Sequence, residues 1–552
     1  MAERVEWQPD GTPRSTRFDD IYRPASGGLE QARHVFLHGC DLPVAWAGRA
    51  QWRILETGFG LGLNFLAVWR AWKDDPKRPR ILHFVSVEAW PVSADDILRS
   101  ANDYAELVPL ARELAAQWVD LAAGAHRLSF EHGHVLLTLH VRDARAMLRS
   151  EPFTADSVFL DGFDPKSNPH IWDEAAMKGV ARHSRRGTRL ATWTSSGEVR
   201  RALQSCGFVV NKVEGLPPKR HRTEAVFDPH WNPRGLVERR EVMPANVVVI
   251  GAGLAGAATA ASLARRGWRV RVLDAADAPA ARASAVPVGL LAPHTSTDDN
   301  LLSRLSRAGV RMTLQQAREL LREGEDWCQT GVTQIGEQRV RHDRAGWIKP
   351  AALVRSWLSQ PGIEWQGSTH VTSIEPFRDR VVVVAAACAS QALLGDRMEL
   401  HPVRGQVAWG PQDAGLRVPA HPVNGNGHFI PSVPFDGAPA WFCGSTYSRD
   451  DDDAAIREED TRANFDRLQA LLPGVAQQLE GRPMQAWAGV RCTSRDRRPL
   501  VGQIEAGVWL TTAMGSRGLT FCTLAGELIA ARIHDEPLPL DARLAAAIDI
   551  AR

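Results

Sequence analysis

The 552-residue chain is too long for one hydrophobic core and should hold two to four domains. With 24% charged and 44% hydrophobic residues it has the balance of a globular protein, which excludes a disordered chain, a collagen and a coiled-coil rod. Lys and Arg total 66 against 64 Asp and Glu, a net charge of +2, so any polyanionic partner must be held by local patches rather than by a global field.

The start, Met1 to Thr16, is polar and lacks the basic, apolar and small-residue succession of an export signal. No apolar run approaches the ~20 residues of a membrane span, and a cytoplasmic location is expected. The seven cysteines (Cys40, Cys206, Cys328, Cys388, Cys443, Cys492, Cys522) form no CxxC pair, so neither disulfides nor a structural metal is expected.

Apolar runs at Trp52–Leu55, Ile81–Val87, Val135–Val141, Ser157–Leu160 and Arg189–Thr194 alternate with helical patterns, one of them Glu198–Gln204. That rhythm predicts crossover units on a mostly parallel sheet. After the first run comes Glu56-Thr-Gly58-Phe-Gly60-Leu-Gly62-Leu-Asn64, a glycine loop that opens a helix near Asn64. It offers backbone amides and close approach but lacks the lysine of a phosphate-cradling loop, which argues against ATP hydrolysis and suits a nucleoside without phosphates. Glu88 ends the next strand, placed for ribose hydroxyls, and Asp143 follows the one after, placed for an adenine amino group. Together they resemble the S-adenosylmethionine site of a Rossmann-like methyltransferase. Asp161-Gly162-Phe163-Asp164-Pro165 then ends a strand at the carboxyl edge of the sheet. A carboxylate there can accept hydrogen bonds from an attacking amine and direct its lone pair, which makes Asp161 the catalytic candidate; a turn without chemistry is the plainer alternative.

Lys212, Lys219-Arg220-His221-Arg222 and Arg200-Arg201 are the best local basic cluster of this half, either a polyanion-binding face or simply a solvated one. Turn formers from Asp228 to Gly235 and a charged stretch then separate it from the rest. The expected boundaries are residues 1–235 for the first domain, 236–245 for a linker and 246–552 for the second domain.

Asn246–Ile250 reads as a buried strand, Leu254–Arg266 as an alanine-rich helix and Val270–Leu273 as a second strand. Between the first two lies Gly251-x-Gly253-x-x-Gly256, in the strand-loop-helix context of a dinucleotide fingerprint, with Asp274 after the second strand to accept ribose hydroxyls. A carboxylate there disfavours a 2′-phosphate, leaving FAD or NAD. Near the end of the chain come Ala488-Gly-Val-Arg491 and Met514-Gly515-Ser-Arg517-Gly518-Leu519-Thr520, followed by a predicted helix Phe521–Ala531. With Pro402–Val407, these segments resemble the glycine oxidase and D-amino-acid oxidase class, in which the second glycine turn meets the flavin. The resemblance implies that Arg491 binds a substrate carboxylate and that Gly515, Arg517, Gly518 and Leu519 lie at FAD. Surface ion pairing is the plainer alternative for both arginines. Ala385–Ala387 stand where that class usually has a glycine.

Taken together, Phe18–Tyr22, Glu56–Phe65, Phe159–Phe163, Thr194–Arg200, the flavin motif, Asp298–Arg304 and Gly346-Trp347 resemble the bifunctional tRNA 5-methylaminomethyl-2-thiouridine biosynthesis family over nearly the whole length, with Asp164 standing where the family usually has alanine. The resemblance implies an α/β protein: a Rossmann-like S-adenosylmethionine methyltransferase fused to an FAD-binding Rossmann domain with a D-amino-acid-oxidase-like α+β substrate domain. It implies FAD and S-adenosylmethionine as cofactors and tRNA as partner, with no metal and no membrane, in a monomer. FAD-dependent removal of the carboxymethyl group of 5-carboxymethylaminomethyl-uridine would precede N-methylation of the resulting amine. Two other readings remain open: a glycine- or sarcosine-type oxidase fused to an unrelated small-molecule methyltransferase, and a tRNA-binding scaffold with vestigial pockets.

Overall fold

The computed structural model describes residues 3–24, 27–217, 219–232, 242–395 and 397–552. Most of the expected linker, residues 236–241, lies outside the described residues, and 242–245 carry no regular structure. The chain divides into two compact units, Met1–Val242 with His534–Ala542, and Met243–Ile533 with Arg543–Arg552. Among the described residues no helix is long and apolar enough to cross a membrane.

The first unit is built on an eight-stranded sheet. In chain order its strands are β1 (Gln51–Glu56), β2 (Ile81–Val87), β3 (Gly124–Phe130), β4 (Val135–Val141), β5 (Ala155–Phe159), β6 (Ser184–Thr192), β7 (Phe208–Glu214) and β8 (His221–Phe227), and across the sheet they run β7-β8-β6-β5-β1-β2-β4-β3. The centre is parallel, as the alternating runs predict, whereas both edges are antiparallel: β3 on β4, and β8 on β6 and β7. Helix α1 (Leu63–Asp74) buries Phe65, Leu66, Val68 and Trp69 against one face. Helix α2 (Ala144–Ser150) packs Met147 and Leu148 on the other. Covering both faces is what makes the central strands apolar throughout, and it leaves their carboxyl ends as the open edge.

The amino-terminal half of the same sheet carries buried polar residues that its apolar pattern does not announce. Arg53, His83 and Arg127 are each at most 3% exposed. The returning segment His534–Ala542 meets them: Arg53 Nη2 donates to the His534 carbonyl at 3.1 Å and Arg127 Nη2 to the Pro537 carbonyl at 2.7 Å, while His83 Nε2 lies 3.5 Å from Glu536 Oε2. Buried charge is tolerated only when paired and hydrogen-bonded, and this segment supplies such partners.

In the second unit β9 (Asn246–Ile250) is flanked in parallel by β10 (Arg269–Leu273) and β12 (Val381–Val384), with β11 (Ile363–Gln366) beside β10. Helix α3 (Leu254–Arg265) follows β9, and its alanine-rich face packs against α4 (Gly518–Ile533) so closely that a β-carbon on Gly526 would lie 2.8 Å from the Ala258 backbone. Between these helices Glu527 receives Arg266 Nη2 at 3.1 Å and the Ser262 hydroxyl at 2.7 Å, which pull its carboxyl far below the ordinary range despite burial. A second sheet pairs β13 (Leu400–Pro411) antiparallel with β14's neighbour β15 (Ala438–Gly444) and with β16 (Gln485–Ser494), where β14 is Gly427–Phe435. Arg491 lies on β16.

Candidate functional sites

The carboxyl ends of β1, β2, β4 and β5 open into a cavity of about 520 Å³. Its wall includes Gly58, Gly60, Glu88, Asp143 and Asp161, so the structure brings together most of the first unit's sequence-predicted residues. The volume lies within the range of small-molecule sites. Gly60 and Gly62 have φ of +51° and +76°, which only glycine adopts without penalty, and Gly58 runs so close to the Asp161 backbone that a β-carbon would lie 3.1 Å from its carbonyl oxygen. The Glu88 carboxylate accepts from Gly60 N at 3.1 Å and Trp90 N at 3.0 Å, and burial raises its pKa while these amides oppose the rise. Asp143 caps α2 by accepting from Ala146 N at 3.0 Å. The glycine cradle, with one acid at a strand end and another at a helix start, fits S-adenosylmethionine: amides and space for the nucleoside, carboxylates for its hydroxyl and amino groups.

Glu56 is placed differently. It is 0% exposed, beneath the cavity wall rather than on it, and its carboxyl receives Asn64 Nδ2 at 2.9 Å and the Ser86 hydroxyl at 2.7 Å. Burial first, and the Asp161 charge second, push it well above the ordinary carboxylate range.

Asp161 follows β5, where its carbonyl accepts from the Thr57 hydroxyl at 2.7 Å and its amide donates back to the same oxygen at 3.1 Å. Its carboxyl receives Gly162 N at 2.9 Å and Asn64 Nδ2 at 2.8 Å. Burial pushes its pKa up to about 6, with Gly162, Asn64, Trp193 and Lys219 opposing. Facing it are aromatic groups, Phe18 stacked on Phe163 at 4.7 Å and Tyr22 edge-on to Phe163 at 5.0 Å. The Lys219 ammonium stands 3.2 Å from the Trp193 ring centroid. The Asp164 side chain begins a turn by accepting from Lys166 N at 2.9 Å, so the family's usual alanine is replaced without disturbing Asp161. Sequence reasoning did not single out Asn64, Thr57 or Trp193 as functional; the adjacency of Asn64 to the glycine loop was the one available signal.

The expected basic cluster is only partly exposed. Arg222 is 8% exposed, ion-paired with Glu224 and bonded to the Glu214 carbonyl at 3.1 Å, which removes it from any phosphate-binding role.

In the second unit Gly251 has φ +112°, and a β-carbon on Gly256 would overlap the Gly251 carbonyl oxygen. One on Gly253, the residue before α3, would stand 3.2 Å from the Ser284 hydroxyl. Asp274 Oδ2 accepts from Ala252 N at 2.6 Å and Oδ1 from Ala276 N at 2.9 Å, so this carboxylate also shapes the loop. The departure at Ala385–Ala387 is resolved by Ala387 taking φ +52° itself, at a cost of roughly 1 kcal/mol. A loop with no room for a side chain at Gly256, ending at a helix start, fits the FAD pyrophosphate.

Arg491 donates to the Ser445 hydroxyl at 2.8 Å and the Thr446 carbonyl at 3.2 Å, and among the described residues it has no carboxylate partner. Burial lowers its pKa and that of Arg517, while Tyr447 opposes in both cases. The same surroundings hold His428, pushed down to about 4 by burial and then by Arg491, and His294, lowered by burial and then by Arg517. Gly515, at φ +58°, begins the turn into α4, Gly518 and Leu519 are the first two residues of that helix, and the Leu519 carbonyl accepts from the Thr313 hydroxyl at 2.8 Å. A desolvated guanidinium without an acidic partner is equipped to take the carboxylate of a ligand.

Comparisons with known proteins give a family for each half of the chain. Residues 105–228 match the family described as S-adenosyl-L-methionine-dependent methyltransferase, and residues 246–376 and 336–532 match the FAD dependent oxidoreductase family. The tRNA 5-methylaminomethyl-2-thiouridine biosynthesis bifunctional protein MnmC of Polaromonas sp. strain JS666 is 50% identical over 624 residues, covering 99% of this chain and 98% of its own. The protein of the same name from Paracidovorax citrulli is 48% identical, covering 100% of this chain and 99% of its own. Among solved structures, glycine oxidase from Geobacillus kaustophilus is 17% identical with a TM-score of 0.46, covering 55% of this chain and 98% of its own.

Proposed function

The chain belongs to the tRNA 5-methylaminomethyl-2-thiouridine biosynthesis bifunctional family, and we propose that its two sites act in turn on one exocyclic nitrogen of the wobble uridine. It is an S-adenosylmethionine-dependent tRNA methyltransferase and an FAD-dependent oxidoreductase. Residues 1–235 carry the first activity and 246–552 the second, with the return segment His534–Ala542 completing the first unit.

The substrate of the second unit is 5-carboxymethylaminomethyl-(2-thio)uridine, a secondary amine bearing a carboxylate. FAD, when bound, supplies the two-electron acceptor for oxidising the carbon beside that amine. Arg491 pairs with the carboxylate, and Ser445 and the Thr446 carbonyl fix its fork. Gly251, Gly253, Gly256 and Asp274 hold the cofactor's pyrophosphate and ribose, while Gly515, Arg517, Gly518 and Leu519 border its ring. Hydrolysis of the oxidised carbon–nitrogen bond releases glyoxylate and leaves a primary amine.

That amine is the substrate of the first unit. Gly58, Gly60, Gly62, Glu88 and Asp143 hold the methyl donor; Asp161 accepts an N–H of the amine, orients the lone pair and receives the proton released on methylation. The observation that carries the reading is the Asp161 carboxyl on the wall of the glycine-lined cavity, facing Phe163 and Trp193. The protein is a monomer in this reading. Incubation with tRNA from cells lacking the modification, followed by nucleoside mass spectrometry, tests it. With FAD alone, 5-aminomethyl-uridine is expected; adding S-adenosylmethionine should convert it to the methylamino product. Rapid turnover of free glycine with unaltered tRNA would instead identify a small-molecule oxidase.

A further inference from the structure

The Asn64 amide nitrogen stands between two carboxyl groups, 2.9 Å from Glu56 Oε1 and 2.8 Å from Asp161 Oδ2. A primary amide has two N–H donors, so one nitrogen can satisfy both acceptors at once. We propose that Asn64 is a positioning residue for methyl transfer: backed by Glu56, it holds the Asp161 carboxylate in the orientation that receives the substrate amine.

The main chain and the side chain of Asp161 are fixed separately. Thr57 clamps the backbone through the reciprocal pair at 2.7 and 3.1 Å, and Asn64 clamps the carboxylate. Asn64 is itself anchored at the start of α1 and tied to Glu56, which the Ser86 hydroxyl secures at 2.7 Å on the neighbouring strand. Two carboxyl groups joined through one nitrogen do not both ionise cheaply. Their surroundings decide which holds the proton. Glu56 is fully buried, faces Asp161 and Glu88, and is pushed well above the ordinary range. Asp161 faces Lys219 and takes the Gly162 amide as well as Asn64, so its rise stops at about 6. Burial lowers the Lys219 pKa, while Asp164, Asp20 and Asp161 oppose that fall and favour its charged form. The negative charge therefore resides on the carboxyl at the cavity, and the proton on the one behind it. Glu56, which the sequence assigns to the cofactor, thus acts through Asn64 on the reacting end.

The inference rests on the reading of Asp161 as the catalytic carboxylate, and the test separates the two. In the full-length flavin-loaded protein, Asn64→Ala and the isosteric Asn64→Asp would be assayed for methylation of tRNA carrying 5-aminomethyl-uridine across the pH range, with kcat and KM for both substrates. Asn64→Ala is expected to lower kcat by about 10- to 100-fold, leave both KM values within about threefold, and move the acid limb of the pH profile upward. Asn64→Asp keeps the packing, so it serves if the alanine variant does not fold; its added carboxylate should move the limb further. An unmoved acid limb with kcat near wild type, or a loss confined to KM for S-adenosylmethionine, overturns the proposal. Asp161→Ala is the parallel control. If it still methylates, the catalytic reading falls and the positioning role with it; if it is inactive while the Asn64 variants behave as wild type, the positioning role alone falls.

Discussion

The Arg491 guanidinium occupies the space that a side chain on Gly405 would fill, since a β-carbon there would overlap Nη1, Nη2 and Cζ. The two residues sit on paired strands, Gly405 opposite Gly489 and Val403 opposite Arg491. Gly405→Ala is therefore expected to displace the fork without opening a cavity. Oxidation of the carboxymethylamine should fall by roughly 10-fold or more in kcat/KM, with stability changed by about 1 kcal/mol or less. Steady-state kinetics beside a thermal melt would check both.

Arg491→Lys keeps the charge but loses the planar pair of donors. Binding of a carboxylate-bearing substrate should weaken by about 100-fold, seen chiefly in KM, while the flavin absorbance spectrum stays that of wild type. A substrate analogue lacking the carboxylate should discriminate little between the two proteins.

In the proposed reading methyl transfer uses the ionised form of Asp161, and burial has raised its pKa to about 6. The rate should therefore fall as pH drops through about 6, whereas an ordinary aspartate would hold the plateau down to 3.8. The same shift acts on folding. A carboxyl raised in the folded state stabilises it only while protonated, so the contribution is complete below 3.8 and lost as pH rises through about 6. Asp161→Asn, which cannot ionise, should be inactive yet melt above wild type at mildly alkaline pH. The gap is at most about 3 kcal/mol, reduced by solvent screening, and closes in acid.

Gly256 and Gly253 separate folding from cofactor binding. A β-carbon on Gly256 meets backbone, the Gly251 carbonyl, so Gly256→Ala should lose bound flavin and melt lower by about 2 kcal/mol or more. Gly253→Ala meets only the Ser284 hydroxyl at 3.2 Å, and should fold while binding FAD more weakly. Visible absorbance of the purified variants, followed through a melt, distinguishes the two.

Both glycine loops, and the strands that carry them, were legible because local backbone chemistry dictates them: Asn246–Ile250 has the observed limits, Trp52–Leu55 is one residue short at each end of Gln51–Glu56, and the acids at strand ends announce themselves by position. The antiparallel edge at β7 was not, since only Phe208 of that strand is buried and its exposure shows no strong period. The role of Glu56 was hidden for a different reason. Whether a carboxylate faces a cavity or lies behind it depends on the helix packed against its strand, and only the position of Asn64 on α1 decides that. Arg222 was misread for a related cause: a charge in a basic run looks solvated until its pairing with Glu224, two residues along the same strand, and its burial are known.

The return of His534–Ala542 to the first unit sets an order in time. A chain emerging amino end first has all eight strands of that sheet in hand long before the residues that meet Arg53, His83 and Arg127 have been translated. The part made first is thus the part completed last, and a chain truncated before His534 would leave the first unit unfinished.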